Sequence, residues 1–139
     1  MAGLMVLESV TLAGRADRAR IARAFVGGVL GPGHPCGNDA ALLVTELFGN
    51  SVRYSRSGAA GGTVTVAVSA GDGLVRVEVT DRGGPGVPEL CRAGRDAEGG
   101  RGLQLVAGLA ARWGWRQRGG RTVTWFELRH PSASGRGDV

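Results

Sequence analysis

Lysine is missing from this chain: all 17 of its basic residues are arginine, set against 12 acidic ones. The absence goes together with 26 glycines and abundant alanine and valine, a bias that GC-rich codons produce without any ligand being involved. A net charge of +5 is compatible with a nucleic-acid face. The arginines are scattered, however, and the sequence lacks the clusters of aromatic and basic residues that mark single-strand binders. Long hydrophobic runs are lacking too, and none approaches the ~18 residues of a membrane span. The first ten residues, MAGLMVLESV, have no basic region followed by an apolar block and a small-residue cleavage site, so no signal peptide is read. Cysteine is sparse: Cys36 and Cys91 have no His or Cys companions at metal-ligand spacing. These shortages argue against a membrane protein, a zinc module and a disulfide scaffold. The expectation is a cytoplasmic protein with incidental thiols and no direct nucleic-acid partner. A length of 139 residues suits one core that needs no covalent or metal staple.

What is present has a readable order. Residues 5–12 (MVLESVTL) fit a strand, and 15–30 repeat apolar residues at helical spacing through Ala19, Ala22, Val26 and Val29. Arg15, Arg18, Arg20 and Arg23 fall mainly on the other side, as a solvated face. GPGHP at 31–35 ends that helix, and Asn38 or Asp39 can cap the next, which includes LLVTELFGNSVRYS at 42–55. After a loop at 57–62, strands at 63–69 and 74–80 place Val64, Val66, Val68 and Val75, Val77, Val79 on one face each, joined by a short AGDG connection. A long Gly- and Pro-rich loop follows Asp81. A helix is expected at 101–112, then a hairpin of WGWRQR and RTVTWFELR around Gly119-Gly120, and a disordered tail from 131. Hairpins dominate, so the fold class is α+β: a two-layer α/β sandwich, its mostly antiparallel sheet covered on one face by helices.

Three segments carry candidate chemistry. In the second helix Glu46 and Asn50 are four residues apart and share a face, among Leu43, Val44, Leu47 and Phe48. A buried carboxylate costs several kcal/mol without a partner, so Glu46 either reaches water or has a role. Gly49 costs roughly 1 kcal/mol against alanine inside a helix and points to a close approach by another group. In VEVTDRGGPG, at 77–86, a strand ends in Asp81 and a glycine turn follows at once. A carboxylate there can accept a hydrogen bond from an exocyclic amine, while glycines let backbone approach a flat ring. An ordinary turn uses the same residue types. In GGRGL, at 99–103, glycines precede a helix, where free N–H groups and the helix dipole favour phosphate. A flexible hinge is the alternative.

Taken in order, a helical ExxxN, a strand-DxG turn and a loop-GxGL-helix resemble the Bergerat-type ATPases of gyrase, the mismatch-repair ATPases and histidine kinases. TELFGNSVRYS, VEVTDRGGPG, GRGLQLVAGLAARWG and TVTWFEL resemble, more closely, the small anti-sigma factor serine/threonine kinases of actinobacteria and bacilli, across 12–128. The resemblance implies a histidine kinase-like ATPase domain at 1–130 with the Bergerat ATP-binding fold, binding ATP and Mg²⁺. Glu46 would be the catalytic carboxylate and Asn50 the Mg²⁺ ligand. Asp81 would read the adenine amine above Gly83 and either Gly84 or Gly86, since DRGGPG is one residue longer than a compact DxGxG. Gly100, Arg101, Gly102 and Leu103 would meet the phosphates, with Arg95 read as a solvated surface arginine, and residues 87–99 would form a lid. Tyr54 stands where many relatives have His, and Gly49 where Thr is frequent. The implied partners are a sigma factor and an anti-anti-sigma (STAS-type) protein that the kinase phosphorylates, and homodimers are common in the family. A catalytically silent, nucleotide-dependent binding module has the same binding residues and is the alternative function.

Overall fold

Six valines set the architecture. β2 (Thr63–Gly71) and β3 (Leu74–Asp81) alternate, and Val64, Val66, Val68, Val75, Val77 and Val79 are fully buried on one side of the sheet. Alternation directs every second side chain to the same face, so that face must be covered. The computed structural model, which describes residues 4–83, 106 and 108–131, covers it with α1 (Ala19–Leu30) and α2 (Gly37–Tyr54). Ala22 and Val26 of α1 and Leu43, Val44, Leu47 and Phe48 of α2 enter the same core. Burial of each large apolar side chain contributes about 1.5–3 kcal/mol, which holds the two layers together.

β1 (Met5–Ala13), β4 (Arg112–Arg118) and β5 (Arg121–Arg129) complete a five-stranded sheet in the order β1-β2-β3-β5-β4. All its described pairings are antiparallel. This is the expected α+β sandwich, with helices on one face and the other face bare among the described residues. The expected valine faces are the observed core faces, and both hairpins lie where the turn residues placed them. β5 beside β3 sets Asp81 opposite Thr122, so the end of one strand and the start of another define a single rim.

Three local expectations are corrected. The first helical run opens with a 3-10 turn at Ala16–Arg18, and the α-helix begins only at Ala19. Neither Asn38 nor Asp39 caps α2. The helix starts one residue after Cys36, whose N–H is taken by His34 Nδ1 at 3.0 Å, and this bond turns the chain early enough to put both residues in the first turn. The third helix does not reach 112: Ala110 N–H still reaches Val106 O, but Ala111 N–H pairs with Glu127 O and Arg112 opens β4. Sheet pairing with β5 overrides helical periodicity there. Residues 101–105 of that helix, Cys91 and the tail at 132–139 lie outside the described residues.

One junction ties β1 to the segment after α2. Gly14 N–H donates to Gly62 O at 2.9 Å, and a Cβ on either glycine would collide with the Ser57 carbonyl. Replacing Gly14 by Ala therefore forces backbone apart at a buried crossing. Urea unfolding should show a loss of at least about 1–3 kcal/mol, the usual cost of overpacking. An unchanged midpoint would contradict this packing.

Candidate functional site

The inner layer changes character toward one end. Along β5 the inward side chains run from Leu128 and Phe126 to Thr124 and Thr122, all buried. Along α2 they run from Leu43 and Leu47 to Asn50 and Ser51, also buried. Asp81 continues the inward series Val75, Val77, Val79 by parity, so its carboxylate arrives at this polar end rather than in solvent. The sequence thus ends an apolar core in a cluster of buried hydrogen-bonding groups, which only specific partners make tolerable.

Asp81 is 5% exposed. Its Oδ1 accepts the Gly83 N–H at 2.7 Å, and the Ser51 hydroxyl donates to the same carboxylate. Burial pushes the carboxyl above its ordinary value; the bonds from Ser51 and Gly83 pull the other way and only partly offset it. Gly83 has φ +73°, and a Cβ there would stand 2.8 Å from the Gly120 carbonyl. Glycine is required both by conformation and by the close approach of the β4–β5 turn.

A run of serines fixes the carboxylate from α2's side. Ser55 Oγ donates to Ser51 O at 2.6 Å and accepts Ser57 N–H at 3.0 Å. Ser57, fully buried, accepts the Arg82 N–H at 2.8 Å. The end of α2 is thereby bonded to the residue after Asp81, and helix and strand are held in one register. Sequence reasoning missed these three serines. Their only signal was three hydroxyls within seven residues after Asn50, at 51, 55 and 57, indistinguishable from ordinary turn chemistry.

Asn50 is 2% exposed; its Oδ1 accepts a bond from Arg53 Nη2 at 3.1 Å, and its Nδ2 is buried with no hydrogen-bond partner among the described residues. Such a group is costly to bury and calls for a ligand. Glu46 lies one turn earlier on the same face, half-buried, and makes no hydrogen bond or ion pair among the described residues. Gly49 does not mark a close approach: a Cβ there would meet only Arg53 Nη1, at an ordinary 3.9 Å. Gly84, Gly86, Gly100, Arg101, Gly102 and Leu103 lie outside the described residues, as do Arg95 and the expected lid. The structure therefore brings together Asn50, Asp81 and Gly83, with Glu46 adjacent.

These groups fit an adenine nucleotide with a phosphate-bound cation. Asp81 is a buried hydrogen-bond acceptor of the kind an exocyclic amine needs, and Asn50 Oδ1 is a hard neutral donor suited to Mg²⁺. No cluster of three or more His, Cys, Asp or Glu exists among the described residues to hold a metal by itself.

The raised carboxyl has a pH consequence. Stability from the uncharged form is present below the ordinary value of 3.8 and is lost as pH rises through the higher folded-state value. Asp81→Asn cannot ionise and retains an acceptor for Gly83. Its melting temperature relative to the native chain should therefore be more favourable at neutral pH than at pH ~4. A difference that stays constant, or that becomes less favourable to Asp81→Asn as pH rises across that range, would contradict the assignment.

No curated protein matches the chain. A family model described as the histidine kinase-like ATPase domain matches residues 12–128, nearly the whole described core. The match spans α2 with Glu46 and Asn50, β3 with Asp81, and the closing β4–β5 hairpin. The chain belongs to the histidine kinase-like ATPase domain family.

Proposed function

We propose that this ATP-binding regulatory domain is an anti-sigma factor with serine/threonine kinase activity toward an anti-anti-sigma protein of the STAS type. The observation that carries the proposal is the constellation on one rim: a buried carboxylate at Asp81, a buried asparagine whose Nδ2 has no partner among the described residues, and Glu46 one helical turn away on the same face. The resemblance of TELFGNSVRYS, VEVTDRGGPG and TVTWFEL to the small anti-sigma kinases supports the finer reading.

In this reading Asp81 accepts a hydrogen bond from the adenine amine, and Ser51 and the Gly83 N–H keep its oxygens aimed. Asn50 Oδ1, which accepts a bond from Arg53 in this structure, is the group that would hold Mg²⁺, and the ion would supply charge neutralisation to the phosphates. Glu46 accepts the proton of the partner's serine or threonine hydroxyl as the phosphoryl group leaves ATP. The apolar flank of α2 holds both side chains in fixed rotamers. Gly100, Arg101, Gly102 and Leu103 take the phosphates. The protein acts in the cytoplasm as a homodimer, binding a sigma factor or the anti-anti-sigma protein. The nucleotide state selects between them through different affinities in the two complexes.

Transfer of labelled γ-phosphate to purified STAS-domain proteins of the same organism tests this. Glu46→Ala should leave ATP binding nearly unchanged and lower transfer by about 10²–10⁴-fold, the usual worth of a general base. Asn50→Ala should lose the Mg²⁺ dependence of nucleotide binding. Binding without transfer in the native chain would instead favour a catalytically silent, nucleotide-dependent binding module.

A further inference from the structure

The bare face of the sheet is not neutral. On the side opposite α1 and α2, β3 presents Arg76, β4 presents Arg112, Arg116 and Arg118, and β5 presents Arg121 and Arg129, with Glu78 and Glu127 as the acidic residues among them. Strand parity puts the six arginines on one surface, at the β3–β5–β4 end of the sheet.

The cluster is organised rather than merely basic. Arg76 is held twice, by Glu78 Oε2 at 3.0 Å and by the buried Glu127 Oε2 at 2.7 Å, and its guanidinium lies 4.0 Å from the Trp125 ring centroid. Trp125 can lie flat because its cross-strand neighbour is Gly114, where a Cβ would stand 2.9 Å from the indole. Arg112 also approaches that ring, at 5.5 Å. Its nitrogen is 3.7 Å from Glu127 and that of Arg116 is 3.8 Å from Glu78, beyond hydrogen-bonding distance. Both are well exposed, with 63% and 40% of their side chains accessible. Arg118 and Arg121 face each other across the hairpin end and join none of these ion pairs. The result is a fixed inner guanidinium surrounded by outer, solvent-accessible ones that are free of close hydrogen bonds to Glu78 and Glu127. Guanidinium forks of this kind pair best with carboxylates or phosphates.

We propose that this face docks an acidic segment of a protein partner, whose Asp and Glu side chains pair with Arg112, Arg116, Arg118 and Arg121. A second copy of the chain is a poor occupant, since two such faces would set arginines against arginines. Nucleic acid is disfavoured on two grounds. Glu78 and Glu127 lie within the patch and repel phosphates, and Arg76 covers the one aromatic ring on which a base would stack. The face lies on the opposite layer from Asp81 and Asn50, so docking there leaves the nucleotide rim open and does not depend on it.

Fluorescence anisotropy with a labelled oligoglutamate peptide at low salt tests the proposal, with duplex DNA as the competing probe. The Arg118→Gln/Arg121→Gln chain, which breaks none of the platform's ion pairs described above, and the Arg112→Gln/Arg116→Gln chain should each weaken peptide binding, by about tenfold when all four changes are combined. A matched control, Arg20→Gln/Arg23→Gln on α1, should change it less than about twofold. Equal loss in the control would show that net charge alone is being read. Tighter binding of DNA, lost with the same replacements, would make the face a nucleic-acid surface. Either result, or no peptide binding by the native chain, overturns the proposal.

Discussion

The site depends on one contact: the buried carboxylate of Asp81 held between the Ser51 hydroxyl on α2 and the Gly83 N–H beyond β3. Burying a carboxylate opposes folding unless its oxygens are satisfied. Two donors from different elements supply that satisfaction, and in doing so they lock helix to strand. The Ser55–Ser57–Arg82 bonds repeat the lock one layer further out. Asn50, the residue before Ser51, is consequently carried to the same rim, and Glu46 follows one turn back on the same helix. The valine core positions the two layers, but this junction decides which polar groups meet.

The two faces of the sheet divide the work. The inner face is apolar where it supports the helices and polar where it ends at Asp81, Thr122 and Thr124. Among the described residues the outer face has no helix over it, and it carries an arginine platform built on Trp125 and Glu127. The proposed nucleotide rim and the proposed docking surface therefore lie on opposite faces of the sheet. That separation lets a partner seated on the arginine face leave the rim unobstructed.

Much of this was legible in the sequence because it rests on periodicity. The alternating valines of β2 and β3 announced their own buried face, and Gly119-Gly120 announced the closing turn. Glu46, Asn50 and Asp81 were legible as an ordered set, since a carboxylate and an amide at i, i+4 and an aspartate at a strand end keep their spacing in any sequence of this pattern. The serine bonds were not legible, because a hydroxyl's partner depends on tertiary register rather than on local spacing. Nor was the early start of α2, which a bond from Cys36 N–H to the His34 ring decides. The arginine face was hidden for a similar reason. Its members are spread over 76–129 in the chain, and only the β3–β5–β4 pairing gathers what reads in sequence as scattered charge.

The central claim is that Asp81 reads the amine of adenine on a rim where Asn50 meets a phosphate-bound cation. It is tested most directly by thermal melting with Mg-ATP and with Mg-GTP at matched concentrations. A ligand present at a hundred times its dissociation constant adds about 2.7 kcal/mol to stability. The account predicts a clear rise in melting temperature with Mg-ATP and little or none with Mg-GTP, whose ring offers a carbonyl where adenine offers an amine. An equal rise with both nucleotides, or no rise with Mg-ATP, would contradict it.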